Sequence, residues 1–514
     1  MAVANQNPAF ACGVTDRAVL AASVIVTLLH AAMGARYDLF RDELYFIVCG
    51  QHPAFGYADQ PPLVPLIAAA FYKLELGAFG VRLPVAVAAG MMVVLAARFS
   101  KALGASRLAA ILAVLAVCIA PMLLGLAATL NTTSFDPLAW TMIAYCLVRA
   151  IRHGEDRFLI VAGLVAGIDL EAKYAVPFWA LGLTIGLLAT PQRRVLLRPA
   201  LWLGLGLAAL IALPSFLWQV AHGLPFLELM AAAKDKNVDT PLGSFLLNQV
   251  FVMNPVLAPL WIAGLIGPFL VASLKDLRFL PIACLVVFIL TRLGHGKDYY
   301  LAACYPTLFV LGACTIAEWA RTRPREMMAQ AGAGLAILVS LVLSPIALPV
   351  LPPPLLADYI TRLGIAPQQQ ERSFRGTVLP QTFADQLGWH DFAGQVMAAW
   401  QRIPESLRKQ TGIKVDNYGE AAALDLYAGP LGLPPVLSGH NQYFLWGLRG
   451  QNPVDLIVVQ NHVERLRPYC RETQVLGETW SPYAMASENG KVIAWCRGLR
   501  SPLRTLWPEI KDYS

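Results

Sequence analysis

The chain has 514 residues, of which 57% are hydrophobic and only 14% are charged, and its mean hydropathy is +0.55. A soluble domain carries about 25% charged residues, so this composition excludes an ordinary soluble protein and indicates a largely membrane-embedded one. The net charge of +7 is explained by basic loops between hydrophobic segments, so it does not indicate a nucleic-acid partner.

Eleven hydrophobic windows each approach the roughly 20 residues that a membrane-spanning helix needs. They cover residues 18–35, 80–97, 108–127, 137–150, 158–170, 176–190, 200–221, 255–273, 279–293, 301–319 and 330–350. The first window ends near a signal-peptidase-like run, but its flank is weakly basic and further windows follow, so we expect a retained helix. The pattern predicts a mainly α-helical, polytopic membrane protein with about eleven spans.

Basic side chains cluster in every second loop between these windows. The clusters are Arg98, Lys101 and Arg107; Arg149, Arg152 and Arg157; Arg193, Arg194 and Arg198; Lys275 and Arg278; and Arg321, Arg323 and Arg325. Loops rich in Lys and Arg face the cytoplasm. With eleven spans, the N-terminus is then predicted to be cytoplasmic and the C-terminus to lie on the outer face.

Three parts are predicted along the chain. Residues 1–350 form a membrane domain, residues 351–370 a linker that begins with Leu-Pro-Pro-Pro, and residues 371–514 a small extracytoplasmic α/β domain. None of the nine cysteines forms a C-x-x-C pair, which gives a zinc or redox motif no support. Cys470 and Cys496 are the only pair in the last part, and a disulfide between them fits an extracytoplasmic location.

Local patterns predict short elements outside the membrane windows. In the first outer loop, residues 36–79, two apolar runs predict short interfacial helices at 44–49 and 63–76, the second started by Pro61-Pro62. In the C-terminal part, apolar spacing predicts helices at 390–402 and 417–428 and strands at 378–383 and 456–460.

The first outer loop carries the acidic residues Asp42, Glu43 and Asp59 with the aromatic residues Tyr45 and Tyr57. Carboxylates near a bilayer are costly and usually serve a site, here as a general base for an acceptor hydroxyl. The alternative is that the Asp42-Glu43 pair satisfies free amides at a helix N-terminus. Asp59 could orient the acceptor, bind a metal or cap the Pro-led helix, and Tyr45 and Tyr57 are predicted to line the cavity.

Basic and phenolic residues lie on the same predicted face. Lys297, Tyr299 and Tyr300 follow one window, Lys173 ends another, and Arg82 begins a third. Cations and hydroxyl donors stabilise a phosphate, so these residues are predicted to bind an anionic lipid headgroup. The alternative is an interfacial belt with snorkelling lysines, in which Tyr and Lys sit at headgroup level for purely structural reasons.

Asn131 and His295 share this face and are predicted to line the same cavity. No cofactor is required by any motif, but a divalent metal on the loop acids and His295 is left open. P-loop, G-x-S-x-G and H-E-x-x-H motifs are absent from the sequence, so ATP-driven transport and those hydrolase chemistries have no support.

These motifs together resemble the GT-C superfamily of polyprenyl-phosphate-sugar glycosyltransferases. The nearer relatives are bacterial members of the dolichyl-phosphate-mannose–protein mannosyltransferase group and the lipid A aminoarabinose transferases. The resemblance is carried by Arg41-Asp42-Glu43-Leu-Tyr45, Gly56-Tyr57-Ala-Asp59-Gln60-Pro-Pro-Leu63, Val81-Arg82-Leu-Pro, Lys173-Tyr174, Lys297-Asp-Tyr-Tyr300, Tyr418-Gly-Glu-Ala421 and Ser438-Gly-His-Asn441 with Trp446.

The resemblance implies an inverting transfer of a sugar from an undecaprenyl-type phosphate to a hydroxyl of a lipid, glycan or protein acceptor. Asp42 would be the base or acceptor-positioning group, Glu43 and Asp59 would shape the site, and the cations and phenols would hold the leaving phosphate. Gln60 departs from the aminoarabinose pattern, so that sugar is not implied. A flippase for a lipid-linked sugar and a non-catalytic scaffold stay as alternatives. The oligomeric state is not indicated.

Overall fold

The computed structural model describes residues 16–236, 238, 240–365 and 376–513. The helices of the first half are α1 Asp16–Gly34, α2 Arg41–Gln51, α3 Leu63–Tyr72, α4 Gly77–Ala102, α5 Arg107–Ile119, α6 Pro121–Leu126, α7 Asp136–His153, α8 Arg157–Leu170, α9 Val176–Leu188, α10 Pro199–Ala221, α11 Pro225–Lys236 and α12 Leu242–Val252. Those of the second half are α13 Ala258–Leu270, α14 Phe279–Leu293, α15 Tyr305–Trp319, α16 Arg323–Ala347, α17 Pro353–Arg362, α18 Gln381–Ala384, α19 Trp389–Gln401, α20 Glu405–Arg408, α21 Tyr418–Ala423, α22 Gln442–Trp446 and α23 Leu503–Leu506.

The chain divides into two compact units. The helical unit comprises Met1–Gly34, Arg82–Pro214 and Asp239–Val350, and the mixed unit comprises Ala35–Val81, Ser215–Val238 and Leu351–Ser514. The mixed unit therefore joins the first outer loop to the C-terminal part of the chain. The domain limits predicted from the sequence stay predictions, and the last five residues of the predicted linker, 366–370, lie outside the described residues.

Each of the eleven predicted hydrophobic windows contains a helix, which confirms a mainly helical, polytopic fold. Within the described residues, five helical segments are long and apolar enough to cross a membrane: α1, α4, α10, the segment Asp298–Trp319 and α16. A sixth is added if α12 and α13, which are bent by 97°, count as one span. The number of eleven spans stays a prediction.

Close contacts between small residues bring the helices of the helical unit together. A Cβ on Gly264 of α13 would lie 2.1 Å from the backbone oxygen of Leu308, and one on Gly312 of α15 would lie 1.8 Å from that of Leu260. Glycine at both positions lets the two helix backbones approach closely, as is common between membrane helices.

Hydrogen bonds join residues of four of the predicted basic loops at one end of the helical unit. Arg152 at the end of α7 donates to both oxygens of Asp276, at 2.7 and 2.8 Å, and to the backbone oxygen of Leu103. Arg198 donates to Asp156 at 2.6 Å. Because α7 runs from Asp136 to His153, Asp136 lies at the other end of the helix from these arginines.

The mixed unit contains a five-stranded sheet with the order β2-β1-β3-β5-β4. The strands are β1 Thr411–Val415, β2 Leu437–Ser438, β3 Asp455–Gln460, β4 Cys470–Glu478 and β5 Val492–Leu499. The first three are parallel, whereas β5 runs antiparallel to β3 and β4. A disulfide joins Cys470 of β4 to Cys496 of β5, with the Cα atoms 5.4 Å apart, and this is the pair expected from the sequence.

Most of the short elements predicted in this unit are present. The strand expected at 456–460 is β3, and the helices expected at 390–402 and 417–428 begin as α19 and α21. The strand expected at 378–383 is wrong, because α18 begins there directly after Pro380. Proline cannot donate to a sheet ladder, and its fixed φ suits the residue that precedes a helix.

The two short helices predicted in the first outer loop are α2 and α3. Residues 43–49 of α2 are all buried, so this helix is a core element of the mixed unit. A Cβ on Gly50 would lie 2.0 Å from the backbone oxygen of Pro65, so glycine at this position allows α2 and α3 to pack closely. The beginning of α2, which carries the acidic pair, is thereby held in a fixed place.

Candidate functional site

The two acids at the start of α2 have different surroundings. Glu43 is fully buried, and its carboxylate accepts a hydrogen bond from the backbone N–H of Phe40 at 2.8 Å, which satisfies an otherwise free amide at the helix start. Glu43 therefore has the structural position that was the alternative to a catalytic one. Asp42 is oriented differently, and its side chain keeps 31% of its surface exposed.

Asp42 is held mainly by a neutral donor. The hydroxyl of Tyr418 donates to its Oδ1 at 2.7 Å, whereas the guanidinium Nε of Arg41 stays 3.8 Å away. Arg41 also lies 3.7 Å from Asp385 and over the ring of Tyr418. Asp42 thus combines a fixed orientation with an exposed face, which are the two features that a general base needs.

Asp59 accepts two hydrogen bonds within the same unit. Tyr45 donates its hydroxyl to Oδ1 at 2.8 Å, and the amide of Asn441 donates to Oδ2 at 3.1 Å. Burial raises the pKa of Asp59 from 3.8 to about 6, an effect that the Tyr45 hydrogen bond opposes and the charge of Asp42 reinforces. Asp42 therefore lies close enough to Asp59 for the two charges to interact.

Tyr45 connects the two acids. Its hydroxyl donates to Asp59 and accepts a hydrogen bond from the backbone N–H of Gln442 at 3.1 Å, while its ring packs against that of Tyr418 with the centroids 4.7 Å apart. Burial raises the pKa of Tyr45 well above its usual value, so the phenol stays protonated and can donate. We name Asp42, Asp59, Tyr45, Tyr418 and Asn441 the acidic cluster.

Tyr57 is not part of this cluster. It is fully buried, and its hydroxyl donates to the backbone oxygen of Cys49 at 2.8 Å. The side chain of Gln219 donates in turn to the backbone oxygen of Tyr57 at 2.8 Å. These bonds fix the path of the loop between α2 and α3, so the structure gives Tyr57 a supporting position where the sequence suggested a cavity wall.

In the helical unit, Lys173 lies among polar partners at the end of α8. Its Nζ donates to the hydroxyl of Thr133 at 2.7 Å and lies 3.4 Å from the carboxylate of Asp136. The same Nζ is 4.6 Å from the centroid of the Tyr300 ring. The structure therefore brings together two of the predicted phosphate-binding residues, with the carboxylate of Asp136 beside Lys173.

The segment from His295 to Tyr300 leads into the 3-10 helix Asp298–Cys304. The backbone N–H of Tyr300 donates to the oxygen of Lys297 at 3.1 Å, and the rings of Tyr299 and Tyr300 meet edge to face at 4.8 Å. Tyr300 keeps 36% of its surface exposed, and His295 is exposed with a positive φ of 51°. We name Lys173, Lys297, Tyr299 and Tyr300 the lysine cluster.

Arg82 and Asn131 have structural partners in the helical unit. The side chain of Arg82 is almost fully buried, and its Nη1 donates to the backbone oxygen of Gly34 at 2.9 Å. This cation therefore binds the carbonyl end of α1, where positive charge is favourable. The side-chain oxygen of Asn131 accepts from the backbone N–H of Thr133 at 2.9 Å, as in the turns that precede helices.

No group of three or more His, Cys, Asp or Glu side chains that could hold a metal ion occurs among the residues in the described ranges. The metal option on the loop acids and His295 therefore gains no geometric support. The acidic cluster instead satisfies its carboxylates with phenol and amide donors.

The fold is that of a known class of polytopic membrane proteins. The crystal structure of ArnT from Cupriavidus metallidurans bound to undecaprenyl phosphate matches with a TM-score of 0.60 and 13% identity, covering 94% of this chain and 98% of that one. Its apo state matches with a TM-score of 0.57 and 14% identity, covering 93% and 97%. The Archaeoglobus fulgidus oligosaccharyltransferase tethered to an acceptor peptide gives a TM-score of 0.47 at 13% identity, covering 80% and 63%.

The sequence comparison agrees with this class. Residues 59–218 match the family model for dolichyl-phosphate-mannose-protein mannosyltransferase. No curated protein sequence matches the chain. The resemblance to the GT-C superfamily that the motifs indicate is therefore confirmed by the family model and by the fold.

Proposed function

We propose that this chain is an inverting glycosyltransferase that moves a sugar from a polyprenyl-phosphate donor to a hydroxyl acceptor at the outer face of the bacterial inner membrane. The observation that carries this proposal is the state of Asp42, a partly exposed carboxylate fixed at 2.7 Å by the phenol of Tyr418. A carboxylate that is oriented but still accessible is suited to accept a proton from an incoming hydroxyl.

The proposed reaction is a single displacement in which Asp42 acts as the base. Asp42 takes the proton of the acceptor hydroxyl while the oxygen attacks the anomeric carbon of the donor sugar. The bond between that carbon and the phosphate oxygen breaks, and polyprenyl phosphate leaves with the bonding electrons. One displacement inverts the configuration at the anomeric carbon, and Asp42 then returns its proton to water.

The leaving phosphate needs positive charge and hydroxyl donors, which the lysine cluster offers. We assign phosphate binding to Lys297, with Lys173, Tyr299 and Tyr300 in support. Arg82 and Glu43 are not assigned a part in the reaction. Arg82 donates to the last carbonyl of α1, and Glu43 accepts from the backbone N–H of Phe40 at the start of α2. Fixed charges in a low-dielectric environment stabilise a departing phosphate without a proton donor.

The comparisons support the donor class. The ArnT structure with the same fold holds undecaprenyl phosphate, and the matching family is described by its use of dolichyl-phosphate-mannose. Both are polyprenyl phosphates, so we extend this donor class to the chain. Neither comparison names the sugar or acceptor of this protein, and the acceptor is proposed only as a hydroxyl of a lipid, a glycan or a protein.

The decisive experiment incubates the purified protein in liposomes with a polyprenyl-phosphate sugar labelled in the sugar. A transferase releases polyprenyl phosphate and moves the label to the acceptor fraction, and the Asp42→Asn variant does neither. If the protein is a flippase, both the original protein and Asp42→Asn move the intact lipid between leaflets. If it is a scaffold, neither protein changes the lipid. Either of the last two results would remove the proposed function.

The orientation is tested separately. We place the basic end of the helical unit in the cytoplasm and the mixed unit outside, which agrees with the charge pattern and with the disulfide of Cys470 and Cys496. In a variant with a single labelling site, a cysteine at the exposed position Glu464 should react with an impermeant thiol reagent in spheroplasts. One at Arg194 should react only after permeabilisation.

A further inference from the structure

The C-terminal part of the chain supplies a hydrogen-bond donor to each acid of the acidic cluster. Tyr418, 376 residues after Asp42, donates to that carboxylate at 2.7 Å. Asn441, 382 residues after Asp59, donates to that carboxylate at 3.1 Å. Both donors and both acids belong to the mixed unit, so the first outer loop and the C-terminal part build this cluster jointly.

Tyr418 is fixed in place by the start of α21. The side chain of Asn417 caps this helix by accepting from the N–H of Glu420 at 3.0 Å, and Glu420 in turn accepts from the N–H of Asp416 at 2.9 Å. Glu420 is fully buried and paired with the buried Lys491. A buried, capped and ion-paired first turn keeps the Tyr418 phenol in one orientation.

The neighbouring glycine brings this turn against the start of α2. A Cβ on Gly419 would lie 2.4 Å from Cγ of Arg41, the residue that precedes Asp42. A side chain at position 419 would therefore require the Arg41 side chain or the first turn of α21 to move. Glycine at this position allows the turn that carries Tyr418 to lie directly against Arg41.

Asn441 carries backbone strain. Its φ of 49° and ψ of −128° lie in a region that residues other than glycine rarely adopt. The C-terminal segment holds it there, because the N–H of Asn441 donates to the oxygen of Asp512 at 3.1 Å and the N–H of Asp512 donates to the oxygen of Gly439 at 2.8 Å. A strained backbone that aims an amide at Asp59 indicates a functional constraint.

We propose that Tyr418 and Asn441 are positioning residues, which orient the carboxylates of Asp42 and Asp59 for the transfer reaction. The inference rests on the proposed function and assigns part of the machinery to the C-terminal region. A hydroxyl that donates to a carboxylate stabilises the charged form and fixes the oxygen that stays exposed. Tyr418 therefore determines the direction in which Asp42 takes a proton.

The main test compares Tyr418→Phe with Tyr443→Phe. Tyr443 is another buried tyrosine of the same region, but its hydroxyl donates to Asp425, outside the acidic cluster. Losing a hydrogen bond to a charged group should lower kcat roughly 10- to 100-fold in Tyr418→Phe with the donor KM unchanged. Tyr443→Phe should leave kcat close to that of the original protein, because its hydroxyl donates to Asp425.

A fluorinated tyrosine at position 418 tests the same point with the fold undisturbed. The fluorinated phenol keeps the hydrogen-bond donor, so kcat should stay close to that of the original protein, in contrast to Tyr418→Phe. An unchanged kcat in Tyr418→Phe, or an equal loss of kcat in Tyr443→Phe, would overturn the role of Tyr418.

Asn441→Gly separates positioning from structure. Glycine tolerates the strained backbone, so this variant should be at least as stable as the original protein, yet it lacks the amide that orients Asp59. We expect unchanged or higher thermal stability with at least about a tenfold lower kcat, the size expected for one hydrogen bond to a charged group. Full activity in Asn441→Gly would show that this residue has only a structural role.

The outcomes are distinct from those that test the proposed function. If Asp42→Asn keeps full transfer activity, the proposed function itself fails. If Asp42→Asn is inactive while Tyr418→Phe and Asn441→Gly behave like the original protein, the glycosyltransferase proposal stands and the positioning proposal is rejected.

Discussion

The acidic cluster and the surroundings of Lys173 both contain carboxylates, but these carboxylates have different partners. Asp42 and Asp59 are held by phenol and amide groups, which carry no charge. Asp136 lies 3.4 Å from the ammonium group of Lys173, and the exposed surface of its side chain is only 4%. Asp42 and Asp59 are oriented by neutral donors, with the Arg41 guanidinium 3.8 Å from Asp42, whereas Asp136 is the counter-ion of a lysine.

This difference separates a chemical role from a structural one. A carboxylate that accepts hydrogen bonds from neutral donors keeps its negative charge and can accept a proton. A buried carboxylate beside a lysine mainly balances the positive charge of the lysine. Removing either partner leaves the other as an uncompensated buried charge, which lowers the stability of the fold. Substitutions in the two regions should therefore change different quantities, activity in the first and stability in the second.

The largest effect is expected from Asp42→Asn. Removing a general base should lower kcat by about 10²- to 10⁴-fold, because proton removal from the acceptor is then left to water. The side chain of asparagine has the same size, so thermal unfolding in detergent should be unchanged. The measurement is release of polyprenyl phosphate from a labelled donor.

Asp38→Asn is the matched control for that substitution. Asp38 lies four residues earlier and accepts from the backbone N–H of Leu39 and from Tyr427, outside the acidic cluster. The Asp38→Asn variant should keep most of the transfer activity. Equal losses in Asp42→Asn and Asp38→Asn would mean that the loop is sensitive to any change of charge, and the assignment of Asp42 as base would be lost.

Lys173→Met should mainly affect stability. It leaves Asp136 buried without its counter-ion, which costs about 3 kcal/mol or more of the free energy of unfolding. Replacing both residues, as in Lys173→Met with Asp136→Asn, should recover part of this loss, because the buried carboxylate of Asp136 is removed together with its counter-ion. The measurement is a double-mutant cycle of unfolding in detergent.

The exposed Lys101 provides the control for that cycle. Lys101→Met removes the same side chain from a surface position and should change the stability by no more than about 0.5 kcal/mol. If Lys173→Met is as stable as Lys101→Met but loses donor binding, Lys173 is a phosphate ligand first and the contrast between the two clusters disappears.

The helices could be predicted well from the sequence, because a long apolar run is a local property. All eleven hydrophobic windows contain a helix, and α2 and α3 begin close to where the prolines and charges place them. The strand predicted at 378–383 is absent. The prediction gave more weight to the apolar residues of this run than to Pro380, which precedes the start of α18. The joining of the first outer loop to the C-terminal part in one unit depends on contacts between distant residues, which no local pattern encodes.

Only part of the candidate site could be predicted, because the site also depends on contacts between residues that are distant in the sequence. Asp42 and Asp59 could be found because acids beside hydrophobic segments are rare. Their partners Tyr418 and Asn441 lie almost 400 residues away, and the sequence marked them only through the resemblance of their motifs, without a role. Glu43 could not be separated from Asp42 by sequence, since adjacent acids at a helix start differ only in the direction of their side chains.

Asp59 allows the contrast to be tested by pH. Its pKa is raised from 3.8 to about 6, mainly by burial, so folding favours the protonated form. The stability that protonation contributes is fully present below about pH 4 and is lost as the pH rises through about 6. Asp59→Asn has no carboxyl group at this position and therefore no such loss. Its melting temperature should exceed that of the original protein by an amount that grows between about pH 4 and pH 6 and reaches a few °C at neutral pH.

That measurement has a clear opposite outcome. If the melting temperatures of the original protein and Asp59→Asn stay parallel from pH 4 to pH 7, burial does not raise the pKa of Asp59. The hydrogen bonds from Tyr45 and Asn441 would then dominate over desolvation. The activity of Asp59→Asn is a separate readout, which should fall because the acid no longer orients the acceptor.

The smallest effect is expected from Lys297→Ala, which sharpens the contrast within the lysine cluster itself. If Lys297 binds the leaving phosphate, its removal should raise the donor KM about tenfold, the loss expected for one charge-assisted hydrogen bond of roughly 1.4 kcal/mol. Lys297→Arg keeps the charge and should retain most of the affinity. Lys275→Ala removes an exposed lysine from the basic end of the helical unit and should leave the donor KM unchanged. An unchanged KM and kcat in Lys297→Ala would move phosphate binding away from this segment. Loss of stability without a change in KM would make Lys297 a structural cation.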